Sequence, residues 1–225
     1  MILQANIIQK LSIAFKEKYN PEKAEGMSKY MRNKFPFFGI QKPERAELTK
    51  PFFKQLLAEK NVDFSSLIKT LWDKEERDYQ YFCMDFLRKA EKLWPETIIE
   101  DFEWMITQKS WWDTVDFIAA NLVGKYFLKW PDKKSEFIKK WDASSDMWLN
   151  RTAIIFQLTY KEKTDTKLLF ELIENHKHSN EFFIQKAIGW ALRQYARTDA
   201  NAVIEFVNKT ELKPLSKREA MKHLS

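Results

Sequence analysis

The sequence has 225 residues, with 38 Lys plus Arg against 32 Asp plus Glu and a net charge of +6. Hydrophobic residues make up 44% and charged residues 31%, a globular rather than disordered profile. Only 4 Gly and 7 Pro argue against a β-sandwich, a barrel or a glycine-rich nucleotide loop, and the lone Cys83 excludes an internal disulfide and a cysteine-based zinc site.

In chain order, residues 1–10 lack a basic n-region and a small-residue cleavage site, so no secretory signal is expected. Asn20-Pro21-Glu22 reads as an N-cap followed by Pro at the first helical position. Lys42-Pro43-Glu44, Trp94-Pro95-Glu96 and Trp130-Pro131-Asp132 repeat the Pro-then-acid form, and each predicts a helix start with its carboxylate in the first turn. Leu67, Ile68, Leu71 and Trp72 follow helical spacing, as do the apolar residues of 153–158. The apolar run over 184–192 is broken by Lys186 and cannot span a bilayer, so a cytoplasmic protein is expected. No alternating pattern competes, and the fold class predicted is all-α.

A weak repeat underlies these helices. Tyr81, Asp116, Arg151 and Lys186 stand 35 residues apart, and Arg218 follows 32 later. A polar residue near the start of one helix per repeat, followed by an apolar run, is the pattern of stacked helix pairs. The prediction is one domain over 1–225 with no internal linker, its equivalent positions lining one surface. Charge is uneven along it: +6 over 1–60, −4 over 61–150 and +4 over 151–225. Basic ends around an acidic middle suit a body that grips a polyanion. Ordinary solvated helix faces would give the same numbers.

The 9 Trp include three that share a helix face with charge: Trp112 with Asp116, Trp148 with Arg151, and Trp190 with Lys186 and Arg193. Asp116 has two readings. It caps or salt-bridges a neighbouring helix, or it is a carboxylate held between aromatic faces, where weak solvation strengthens its field on a cation. A lone carboxylate does not make a two-acid glycosidase site. His176, His178 and His223 lack metal-ligand spacing, and Cys83 has no His partner and reads as buried and inert. Lys29 with Tyr30, Arg151 with Trp148, and Lys186 with Phe182 and Phe183 pair bases with aromatics, a pattern suited to phosphate and sugar contacts.

Asn20-Pro21-Glu22-Lys23-Ala24-Glu25, Met27-Ser28-Lys29-Tyr30-Met31, Phe38-Gly39-Ile40-Gln41-Lys42-Pro43-Glu44-Arg45, Lys109-Ser110-Trp111-Trp112-Asp113-Thr114-Val115-Asp116, Phe182-Phe183-Ile184-Gln185-Lys186-Ala187-Ile188-Gly189-Trp190 and Leu215-Ser216-Lys217-Arg218-Glu219-Ala220 together resemble the AlkD family of DNA alkylation-repair glycosylases. The resemblance runs from about residue 10 to the end. It implies a right-handed superhelical solenoid of stacked HEAT-like helix pairs whose concave basic face holds duplex DNA. It further implies hydrolytic excision of N3- and N7-alkylated purines, such as 3-methyladenine and 7-methylguanine, without base flipping. On this chain the catalytic residues would be Asp116, Trp112, Trp190 and Arg151. Tyr30, Lys29, Phe182, Phe183, Lys186 and Arg193 would bind DNA. No metal and no cofactor are expected, and a monomer is, since no further apolar stripe asks for a partner. The competing readings are a helical-repeat scaffold for a protein partner and a nucleic-acid binder without catalysis.

Overall fold

The computed structural model describes residues 2–59 and 61–224. The described residues hold no strand, so the predicted all-α class is what the chain adopts. The helices are α1 (Ile2–Glu17), α2 (Pro21–Tyr30), α3 (Lys42–Leu57), α4 (Phe64–Asp73), α5 (Arg77–Lys89), α6 (Ile98–Thr107), α7 (Trp112–Ile118), α8 (Gly124–Lys129), α9 (Lys134–Asp142), α10 (Met147–Ile155), α11 (Thr166–His176), α12 (Phe182–Tyr195), α13 (Ala200–Lys209) and α14 (Pro214–Met221). No helix among the described residues is long and apolar enough to cross a membrane.

The 35-residue register is visible in the helix starts. α3, α5, α7, α10 and α12 begin at residues 42, 77, 112, 147 and 182, and α14 follows at 214. Tyr81, Asp116, Arg151, Lys186 and Arg218 therefore all stand four residues into their helices. The same register holds an amide cap. Gln80 Nε2 donates to the carbonyls of Leu71, Trp72 and Lys74 at 3.0–3.1 Å. Asn150 Nδ2 does the same to Trp141, Asp142 and Ser144 at 2.8, 3.2 and 2.9 Å. Each side chain satisfies carbonyls that the end of the preceding helix leaves without an intrahelical partner.

Two Pro signals mark helix starts as expected. Asn20 caps α2, its Oδ1 accepting from Lys23 N at 2.9 Å, and α3 begins one residue before Pro43. The other two do not. Trp94 Nε1 donates to Leu87 O at 2.9 Å, which turns the chain back onto α5, so Pro95 opens a turn and α6 begins only at Ile98. Pro131 opens a 3₁₀ turn that runs into α9 at Lys134. α10 ends at Ile155, short of the apolar run, because Gln157 clamps Asp165 through both N–H and C=O (2.8 and 3.3 Å).

The chain divides into two compact units, Met1–Asp101 and Phe102–Ser225. In the first, Phe15 meets Tyr79 at 5.3 Å between ring centroids, and Phe53 stacks on Phe82 at 4.9 Å. Cys83 is fully buried there, and burial pushes its thiol well up, in line with an inert thiol. The second unit centres on Ile154, Ile155, Leu169, Ile173, Ile188, Leu192 and Val203, all at most 2% exposed. Between α7 and α8 the helix carries a π-turn at Ala119–Val123. Such turns insert one residue into a helix and re-aim what precedes them.

Candidate active site

α7 begins where the chain leaves an extended Trp111, which is 8% exposed. Its indole packs edge-on against Trp148 at 5.9 Å and Phe183 at 5.1 Å, and Trp148 lies 5.0 Å from Phe183. One aromatic cluster thus ties together the first turns of α7, α10 and α12. Aromatic pairs of this kind each add about 0.5–1.5 kcal/mol beyond their area.

One turn into α7 and α10, Asp116 and Arg151 meet. Arg151 Nε donates to Asp116 Oδ1 at 2.7 Å and Nη2 to Oδ2 at 2.8 Å, a bidentate pair, while Nη1 donates to the backbone carbonyl of Phe183. The Arg151 side chain is 5% exposed and that of Asp116 16%. Burial raises the Asp116 carboxyl above its ordinary value, and the hydrogen bonds and charge of Arg151 oppose that rise. The salt-bridge reading of Asp116 is therefore realised, and through Phe183 the pair is joined to the aromatic cluster. A carboxylate offers about four lone-pair sites, and two are taken.

Trp112 is half-buried on the same helix face as Asp116, one turn earlier. Trp190 is half-buried on α12 and packs partly against the core of the second unit. Lys186 and Arg193 both end on Glu219 of α14, at 3.0 and 2.6 Å. Phe182 is 54% exposed and touches Phe183 at 5.3 Å. Lys29 and Tyr30 lie at the end of α2 in the first unit. Lys29 pairs with Glu25, and Tyr30 is 70% exposed.

The structure thus joins Asp116, Arg151 and Phe183, and separately Lys186 and Arg193. Arg151, expected to hold phosphate, has its guanidinium turned onto Asp116 and a carbonyl. Sequence reasoning noticed Trp111 and Trp148 without making them part of the site, and it missed Glu219. The available signal for Glu219 was two cations seven apart on one face of α12 with no acid on that face.

Among curated proteins no match is found. A solved structure described as a predicted DNA alkylation repair enzyme from Enterococcus faecalis is similar, with 34% identity over 92% of this chain and 97% of that chain and a TM-score of 0.87. The family model for DNA alkylation repair enzymes matches residues 11–224. The chain belongs to the DNA alkylation repair enzyme family.

Proposed function

We propose that the protein is a DNA glycosylase that hydrolyses the N-glycosidic bond of N3- and N7-alkylated purines in duplex DNA, without flipping the base and without metal or cofactor. The observation that carries the reading is the half-buried Asp116 carboxylate, fixed by Arg151 beside an aromatic cluster, in a chain of a DNA alkylation repair family.

The chemistry suits one carboxylate. An N3- or N7-alkylated purine is already cationic, so the electrons of the breaking C1′–N bond leave a neutral base and no general acid is needed. Positive charge then grows on the deoxyribose. Asp116 stabilises it and orients the water that forms the new C1′–O bond, the water's proton passing to solvent. Poor solvation makes the carboxylate's field stronger at that point. Trp112 and Trp190 offer π-faces to the electron-poor sugar. Arg151 acts by holding Asp116 in place. Lys29, Tyr30, Phe182, Phe183, Lys186 and Arg193 contact the duplex independently of sequence, so affinity falls as salt rises. The protein acts as a cytoplasmic monomer within base excision repair.

The test is release of free base from duplex DNA containing 7-methylguanine, by wild type and by Asp116→Asn. Release by wild type that is lost in Asp116→Asn, with duplex binding kept, is the expected result. Equal release by both removes the assignment of Asp116. Binding without release by either leaves a nucleic-acid binder.

A further inference from the structure

Glu219 of α14 is where two cations of the proposed DNA surface end. Lys186 Nζ stands 3.0 Å from Oε1, Arg193 Nη1 stands 2.6 Å from Oε2, and the same Nη1 donates to the Glu219 carbonyl at 2.9 Å. Lys186 lies four residues before Trp190 and Arg193 three after it, so all three share one face of α12. Gly189 makes the approach of α14 possible: a Cβ there would stand 2.3 Å from Glu219 Cβ and 2.9 Å from Ser216 O. Ser216 Oγ donates to Gln185 O at 3.1 Å and pins the two helices together. The carboxylate is 16% exposed and its partners 37% and 22%, so the acid lies deeper than the cations it holds.

Two oxygens sharing one negative charge, gripped by Lys and Arg, present the same pair of acceptors to these donors as two oxygens of a phosphate. A DNA phosphate at this place has to share both cations with Glu219 or displace it. Lys186 and Arg193 keep N–H groups to spare, so the place is usable but part-neutralised.

We propose that Glu219 is a built-in competitor for the phosphate that Lys186 and Arg193 would hold, and so limits the grip on undamaged duplex beside Trp190. The inference rests on the reading of duplex DNA as ligand. It gives α14 a role in selectivity: the weaker the general grip, the more the charge of a cationic lesion decides which sites are held. The Glu219 carboxyl is drawn down to about 2 by Arg193 and Lys186, so its charge persists at every working pH and only substitution removes it.

The experiment measures affinity for an undamaged duplex across a salt series. Glu219→Gln keeps an acceptor oxygen while losing the charge. It is expected to bind about fivefold more tightly, with a slope of log K against log salt steeper by about one phosphate contact. Glu219→Asp, which keeps the charge, is expected to retain the wild-type slope. An unchanged or weakened affinity in folded Glu219→Gln overturns the inference while leaving the DNA reading intact; no duplex binding by wild type removes both. A measurement on the wild type needs no variant: the ¹³C signal of the Glu219 carboxylate is expected to shift on saturation with duplex, and an unmoved signal overturns the competition.

Discussion

Gln80 and Asn150, 70 positions apart, make the same three-carbonyl cap at the same place in their repeats. Both are buried, at 0% and 9% exposure, so neither cap can be replaced by water without rearrangement. Asn150→Leu is expected to lower stability by about 1–3 kcal/mol, the cost of stranding buried acceptors. Urea denaturation reads it, and a midpoint equal to wild type would count against the cap.

On the proposed mechanism the pH profile of base release follows from Asp116. Protonation would remove the charge that stabilises the sugar cation, so activity is expected to fall as pH falls through the carboxyl's pKa. Burial raises that pKa, which places the acid limb above the ordinary aspartate value of 3.8. Arg151→Gln takes away the interactions that lower it, so the limb moves further up. An acid limb indifferent to Arg151 would show that another group sets it.

Arg151 also carries stability. Removing one partner of a buried ion pair costs about 3–5 kcal/mol, because the other charge stays buried. Arg151→Ala is expected to be destabilised on that scale, and Asp116→Asn/Arg151→Ala by less than the sum of the single changes. Additive effects in a double-mutant cycle would deny the coupling.

Asp78 sets a second pH dependence, this one of stability. It is fully buried; its Oδ2 accepts from Phe38 N at 2.8 Å and its Oδ1 has no hydrogen-bond partner. Burial raises its carboxyl to about 6, against the pull of the Phe38 bond and of Arg45. A carboxyl raised by folding favours the folded state below its ordinary value, and that contribution is lost as pH rises through about 6. Between pH 4 and 7 the loss is about 2 kcal/mol. Asp78→Asn is expected to flatten this part of the stability curve in thermal melts at several pH values. An equal slope in variant and wild type would overturn it.

Two glycines predict opposite signs. Gly26, inside α2, has nothing within 4 Å of an added Cβ, so Gly26→Ala is expected to stabilise by about 0.5–1 kcal/mol. Gly189→Ala drives a Cβ into Glu219 and the Ser216 carbonyl and is expected to cost about 1–3 kcal/mol. Melting temperatures of the two variants decide it.

The sequence alone determined the all-α class, because apolar spacing is a local property of each helix. It also placed the register, because α5, α7, α10 and α12 start at one interval and carry a polar or charged residue one turn in. It singled out Asp116, Arg151 and Lys186 for the same reason, and Arg193 because it shares a helix face with Trp190 and Lys186. Pro signals at Trp94 and Trp130 misled by a few residues, since a proline opens a turn as readily as a helix when a neighbouring side chain pulls the chain back. Partnership was not legible. That Arg151 turns onto Asp116, and that Glu219 gathers Lys186 and Arg193, depends on helices 35 and 26 or more residues away meeting at hydrogen-bond distance. Spacing within one helix carries no information about which neighbour it will face. Only packing decides that, through the missing Cβ of Gly189 and the aromatic wedge of Trp111, Trp148 and Phe183.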